Sequence, residues 1–163
     1  MKNKLRHIYH IIFITKRQEM TIPMTTILDQ MVQIFTRKGC HVYACNAFLN
    51  HVHILVEIPS PTDFAKIINK VKSSTGVVYR KYPEYADFSG WAAGFDSFSV
   101  SFNDLNRVKH HIEKQETVHQ ELSFEDEYDQ LLEENGFNAY QDFMRASFSA
   151  YAAVNNHIKN KRK

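Results

Sequence analysis

Residues 46–59 read NAFLNHVHILVEIP, and within this stretch His51 and His53 lie two positions apart. The residues that follow the pair are mostly β-branched or apolar as far as Pro59, which is typical of a β-strand. Because side chains alternate between the two faces of a strand, both imidazoles are expected on one face of a sheet. Imidazole is a common metal ligand, so the pair predicts half of a metal site. The alternative is two histidines that bond only to backbone or water.

Hydrophobic periodicity on either side of this stretch predicts further strands and helices. In chain order, the predicted elements are a strand over 5–15, a helix from Thr25 or Thr26 to before Gly39, strands over 40–48 and 53–58, a helix from Thr62-Asp63, a strand over 94–101, a helix from Asn103 or Asp104 to about Val118, and an acidic amphipathic helix over 121–134.

The order strand-helix-strand-strand-helix-strand predicts an α+β fold, the ferredoxin-like split βαβ sandwich. In this fold an antiparallel sheet carries helices on one face, and the helices after the fourth strand would be an added C-terminal segment. The two histidines fall on the third strand, which is central in such a sheet. We expect one domain over residues 1–137 and a C-terminal extension with a basic tail over residues 138–163.

Composition places the chain among cytoplasmic globular proteins. Of 163 residues, 44% are hydrophobic, which excludes a disordered chain. No apolar run approaches the roughly 18 residues of a membrane span, and the first residues do not resemble a signal peptide. Cys40 and Cys45 have no partner cluster, so we expect free thiols in a reducing compartment.

The net charge of +2 conceals an asymmetry between the two halves of the chain. Residues 1–82 carry 12 Lys and Arg against four acidic residues, whereas residues 83–163 carry eight against 14. This polarity is typical of a chain that offers one basic surface to a phosphate backbone. The alternative is a solvated face that happens to be basic.

Several short motifs together resemble, in order and spacing, the single-tyrosine HUH transposases of small bacterial insertion sequences and their repeat-associated relatives. The motifs lie at residues 9–17, 50–56, 72–74, 90–91 with 94–95, 98–101, 112–115 and 123–128. The resemblance covers about residues 7–137. It implies a ferredoxin-like core, an intertwined homodimer, and substrates of single-stranded DNA folded into hairpins.

The resemblance also implies a metal site and a nucleophile. In that family two histidines and a glutamine hold Mg²⁺ or Mn²⁺, and the matching residues here are His51, His53 and Gln115. A tyrosine one helical turn before the glutamine attacks a DNA phosphorus, which gives a 5′-phosphotyrosine link and a free 3′-OH. The cation polarises the scissile phosphate, and the tyrosyl ester conserves the bond energy for rejoining. A spacing of four would place both residues on one helix face.

The chain departs from the family pattern at the nucleophile, because the position four before Gln115 is His111. No tyrosine lies between Tyr85 and Tyr128, and Tyr128 belongs to a different motif. His111 could act as a nucleophile through a phosphoramidate, serve as a fourth metal ligand, or be a polar helix residue. Tyr128 could be a relocated nucleophile. We expect strand nicking and joining to be impaired, with binding of metal and DNA retained.

Basic and hydroxyl side chains supply candidates for phosphate contacts, with solubilising surface charge as the alternative. These candidates are Lys16, Arg17, Lys66, Lys70, Lys72, Ser73 and Ser74. Trp91, Phe95 and Phe98 could stack on bases, although core packing is the commoner use of such a pattern. The remaining histidines are expected to be structural or exposed, namely His7, His10, His41, His110 and His119.

Three functions therefore compete. The first is a transposase-like protein that binds single-stranded DNA hairpins and depends on a metal for strand transfer. The second is a domesticated, cleavage-dead derivative that binds or regulates DNA. The third is an interaction protein that shares only the fold, since one fold hosts many functions.

Overall fold

The computed structural model describes residues 4–137, which contain a four-stranded antiparallel sheet in the order β2-β3-β1-β4. This order and the antiparallel pairing are those of the predicted ferredoxin-like sandwich, so the predicted α+β class is confirmed. The strands are β1 (Ile8–Ile14), β2 (His41–Phe48), β3 (His51–Glu57) and β4 (Asp96–Ser99).

Five helices accompany the sheet, and no helix within residues 4–137 is both long and apolar enough to cross a membrane. The chain divides into two compact units after Gln120, and the last helix belongs to the second unit. Residues 138–163 lie outside the described residues, so the predicted C-terminal extension stays a prediction. The helices are α1 (Met24–Arg37), α2 (Phe64–Arg80), α3 (Leu105–Glu113), α4 (Gln115–Glu121) and α5 (Phe124–Glu134).

Helices cover both faces of the sheet. On one face, apolar residues of β1 and β3 pack against α1 and α2 in the main core, which includes Ile54, Met31 and Ile68. On the other face, Leu55 packs with Ile112 of α3 in a smaller cluster. The helices α1 and α2 therefore share one face as predicted, and α3 is the addition that closes the opposite one. Both faces of β3 are consequently buried.

The predicted single helix from residue 103 to about 118 is wrong, because the backbone breaks at Lys114 (φ −104°, ψ 24°). The side-chain amide of Asn46 on β2 donates to the carbonyls of Ile112 and Glu113, at 3.0 and 3.4 Å. These carbonyls are among those that a helix leaves unsatisfied at its C-terminus, so Asn46 stabilises the end of α3 at this point. Positions 111 and 115 therefore lie on two different helices.

The end of β1 is extended by a segment that carries Trp91. Thr15 forms an isolated antiparallel bridge with Trp91, and the indole N–H donates to Thr75 Oγ1 of α2 at 2.9 Å. The Thr75 hydroxyl is fully buried and itself donates to the Val71 carbonyl at 2.8 Å. One hydroxyl thus ties the segment after α2 to the helix and satisfies a buried indole donor.

Lys72 holds the same segment from the neighbouring turn of α2. Its ammonium group donates to the carbonyls of Ala92, at 2.7 Å, and of Gly94. The ammonium also lies 5.6 Å from the centre of the Phe13 ring. Desolvation lowers the pKa of Lys72, although the carboxylate of Asp96 opposes this effect. Lys72 therefore has a structural role in addition to the phosphate contact predicted for it.

We expect the substitution Thr75→Val to lower the free energy of unfolding by about 1–3 kcal/mol, because it leaves the Trp91 N–H buried without its acceptor. Urea unfolding followed by the fluorescence of Trp91, which is the sole tryptophan, measures the change. Thr36→Val is the matched control, since Thr36 makes the same bond to the carbonyl four residues earlier but is exposed. Equal losses in both variants would contradict a specific role for the buried hydroxyl.

Candidate functional site

His51 and His53 lie on the same face of β3 and are both fully buried, as the alternation of a strand requires. Their rings are perpendicular, with centroids 4.9 Å apart. β3 pairs with β1 on one side and with β2 on the other, so its backbone is fixed along the whole pair. The predicted half-site is therefore a rigid element in the interior of the fold.

The orientation of His51 is set by the residue before it. The Nδ1 atom of His51 lies 2.8 Å from Asn50 Oδ1, while the Asn50 amide nitrogen donates to the Gln18 carbonyl at 3.5 Å. Because Oδ1 only accepts hydrogen bonds, His51 carries its proton on Nδ1. When the ring is neutral, its Nε2 atom presents a lone pair to the space beneath α4.

Two side chains of α4 meet that lone pair. Gln115 Oε1 lies 3.1 Å from His51 Nε2, and His119 Nε2 lies 3.1 Å from the same atom. The Gln115 and His119 atoms are 3.0 Å from each other. The His119 ring stacks on Phe48 of β2, with centroids 4.6 Å apart. The predicted ligand Gln115 thus lies against His51, and a histidine that was not among the predicted ligands lies beside both.

His53 is held by a second histidine from the neighbouring strand. Its Nδ1 atom lies 2.8 Å from His10 Nε2, and both rings are buried. A metal would therefore have to be bound by His53 through Nε2. The ring of His111 on α3 faces His53 at right angles, with centroids 6.3 Å apart. Position 111, where the family resemblance implies a tyrosine, is thus on the histidine face of the sheet.

Sequence reasoning missed His10 and His119, which were expected to be structural or exposed. His119 lies four residues after Gln115, and residues four apart lie on the same face of a helix. His10 could be found only from the register, since β1 pairs Ile12 with His53 and puts His10 diagonally beside it.

Some of the residues predicted to contact phosphate line a common groove. A groove of about 450 Å³ is lined by eight residues, among them Lys16, Lys72, Ser73 and Trp91. Three of the seven candidates therefore share one groove with the indole. The groove is lined by Lys16, Asn69, Lys72, Ser73, Gly76, Val77, Gly90 and Trp91.

The remaining candidates lie at exposed or half-buried positions outside the groove lining. Lys66 and Lys70 are exposed on α2, and Lys66 forms a 3.9 Å ion pair with Asp63. Arg17 is exposed in a turn after β1 with a positive φ of 55°, and Ser74 is half-buried.

The aromatic candidates for base stacking belong to the interior. Trp91 and Phe98 are buried, and Phe95 is half-buried with its ring 5.8 Å from that of Phe64. Trp91 packs in the main core and is also one of the residues that line the groove. Core packing is therefore the main use of these rings.

A family model described as "Transposase IS200 like" matches residues 3–115. No curated protein matches the chain. Among solved structures, the chain is similar to a Deinococcus radiodurans R1 protein assigned as a transposase, with 21% identity, a TM-score of 0.47, and coverage of 71% of this chain and 98% of that one. It is also similar to a REP-associated tyrosine transposase bound to a REP hairpin, with 12% identity, a TM-score of 0.54, and coverage of 73% and 72%. The second similarity supports a shared fold.

Proposed function

The chain belongs to the family of IS200-like transposases, and on this premise we propose that it binds single-stranded DNA hairpins through a metal-containing site whose strand cleavage is impaired. The observation that carries the proposal is His111. An imidazole faces His53 at the position where the family resemblance implies a phenol. Transposase membership supports DNA as the partner, and the missing phenol supports impaired cleavage.

The basic half of the chain supports hairpin binding. The groove beside Trp91 has Lys16 at its rim, and Lys70 and Ser73 lie on the exposed side of α2. Lysine and hydroxyl groups are the usual contacts to phosphate oxygens. The structural relative of the same fold was solved with a REP hairpin, which supports the same class of ligand for this protein. The hairpin would lie along α2 and the end of β1.

The donor atoms on the other face of the sheet support a divalent cation. Two imidazoles and an amide oxygen, from His51, His53 and Gln115, would hold Mg²⁺ or Mn²⁺ and leave other positions for phosphate oxygens. When bound, the cation would polarise the scissile phosphate and neutralise the charge that develops there. The protein's own contribution is to fix the donors, through Asn50 for His51 and His10 for His53.

His111 changes the chemistry of strand cleavage. Attack by a phenol on a DNA phosphorus releases the 3′-oxygen as a hydroxyl and leaves a stable phosphotyrosine. Attack by the imidazole of His111 would give a phosphoramidate, which hydrolyses more readily and would not preserve the bond for rejoining. The same observation favours the second candidate function, a cleavage-dead protein that binds or regulates DNA hairpins.

We expect the protein to bind hairpin oligonucleotides in EDTA with an affinity that falls steeply as salt rises, because phosphate contacts release counterions. The change Lys16→Gln should weaken binding and reduce the slope of log affinity against log salt by about one. Fluorescence anisotropy of a labelled hairpin measures both quantities.

Lys38→Gln is the control for this experiment. Lys38 is exposed and lies outside the groove lining, and its substitution removes the same charge as Lys16→Gln does. Its salt slope should match that of the unmodified protein. Absence of any salt-dependent binding by the unmodified protein would contradict hairpin binding and favour an interaction protein that shares only the fold.

We expect no stable covalent complex when the unmodified protein is incubated with a hairpin substrate and Mn²⁺, because position 111 lacks a phenol. The variant His111→Tyr should form a covalent band on a denaturing gel and release a free 3′-OH. Position 111 lies on α3 and Gln115 on α4. The yield of the covalent complex therefore also reports whether the break between these helices permits a tyrosine at position 111 to attack the phosphate.

His110→Tyr provides the matched control, because His110 is the exposed neighbour on the same helix and should form no adduct. A stable adduct from the unmodified protein, mapped by mass spectrometry to Tyr128 or another residue, would overturn the assignment of position 111. If the unmodified protein and His111→Tyr both bind the hairpin but neither forms an adduct, the result would support the cleavage-dead alternative.

We expect a homodimer in solution. The sheet has two edge strands, β2 and the short β4, and association is one way to cover such edges. The family resemblance also implies paired subunits. Light scattering at micromolar concentration should give twice the mass of one 19.1 kDa chain, and a monomer mass would contradict the dimer.

A further inference from the structure

We propose that His119 is itself a metal ligand, which binds the cation of the proposed function beside His51 and Gln115, and that a site with this ligand selects a first-row transition cation such as Co²⁺ or Zn²⁺ over Mg²⁺. This inference rests on the metal site of the proposed function and deepens it. It concerns a residue that the family resemblance does not assign. The three donor atoms are His51 Nε2, Gln115 Oε1 and His119 Nε2.

The spacing of the three atoms is the first support. They form a triangle with sides of 3.1, 3.1 and 3.0 Å. Two ligands at right angles on bonds of about 2.1 Å are separated by about 3.0 Å, which is the spacing of neighbouring positions around a six-coordinate cation. The triangle therefore fits one face of such a coordination shell.

The chemistry of the contact between His51 and Gln115 is the second support. His51 carries its proton on Nδ1, because that atom meets the accepting oxygen of Asn50. Its other ring nitrogen, Nε2, lies 3.1 Å from Gln115 Oε1 and 3.1 Å from His119 Nε2. A neutral imidazole nitrogen and an amide oxygen each offer a lone pair, so a cation between these atoms would be coordinated by both kinds of donor.

The positioning of His119 is the third support. It lies four residues after Gln115 on α4, so both side chains leave the same face of the helix. Its ring stacks on Phe48, the residue that pairs with His51 across β2 and β3. The donor is therefore fixed by packing before any cation binds, as a preorganised site requires.

The donor types set the selectivity. Two imidazole nitrogens suit Zn²⁺, Co²⁺ and the later first-row ions, whereas Mg²⁺ prefers oxygen ligands and loses its water reluctantly. A site with His119 as a ligand should therefore bind Co²⁺ and Zn²⁺ without DNA. A site made only of His51, His53 and Gln115 already contains two imidazoles. Metal selectivity alone therefore does not show that His119 is a ligand, and substitution of His119 is needed to test it.

The test is a titration of the full chain with Co²⁺, followed by its visible absorption and by calorimetry with Zn²⁺. His119→Phe keeps an aromatic ring against Phe48 but removes the nitrogen, and it should lower the affinity for both cations by about 100-fold or more. His110→Phe changes an exposed histidine of α3 and should leave the affinity unchanged. Thermal unfolding in EDTA checks that both variants fold.

His119→Cys gives a readout that a merely structural role would not move. A thiolate at this position should restore Co²⁺ binding and add a sulfur-to-cobalt charge-transfer band in the near ultraviolet. Unchanged Co²⁺ affinity in His119→Phe, or a His119→Cys protein that binds Co²⁺ without the new band, would overturn the inference. Absence of cation binding by the unmodified protein would overturn it as well.

The same proteins can be assayed for hairpin binding in EDTA, where no cation contributes. One outcome is that the unmodified protein binds the hairpin and the His119→Phe variant keeps full Co²⁺ affinity. This outcome would show that His119 is not a ligand and would leave the proposed function intact. Loss of hairpin binding in the unmodified protein would instead remove the proposed function, whatever the cation titration shows.

Discussion

The burial of both faces of β3 is the constraint from which the arrangement of the site follows. β3 lies between β1 and β2, and helices cover the sheet on each side. Alternation then puts Val52 and Ile54 into the main core and forces His51 and His53 into the opposite interior. A buried polar group is costly unless it is bonded. The neighbours of the two imidazoles are accordingly polar, and they include a second histidine on β1 and an amide on α4.

The break between α3 and α4 connects this constraint to the chemistry. Asn46 pairs across the sheet with His53, and its side-chain amide donates hydrogen bonds to the last carbonyls of α3. The chain therefore turns above the face of the sheet that carries the histidines. The turn lets α3 present His111 to His53, while α4 presents Gln115 to His51. One polar residue on β2 thereby separates position 111 from Gln115. In the proposed function, the residue at the position of the family's tyrosine and the glutamine ligand therefore lie on different helices.

The sequence was sufficient for features that depend on local patterns, and insufficient for those that depend on distant pairs. Strand order and the shared face of the two β3 histidines follow from alternation and element order, and the structure confirms them. The helix break depends on Asn46, which lies 66 positions before the carbonyl it binds, so helical periodicity alone cannot reveal it. His10 needs the strand register. His119 did carry a local signal, because it lies four residues after Gln115 and a helix places such residues on one face. The family resemblance assigns no role to this position.

The central claim is that the interior face of β3 holds a cation between the sheet and α4. Anomalous diffraction from crystals of the full chain grown with Mn²⁺ tests it most directly, because the peak locates the ion without reference to activity. The account requires a peak within about 2.3 Å of both His51 Nε2 and Gln115 Oε1. A peak elsewhere on the chain, with these two side chains still in hydrogen-bond contact, would contradict it.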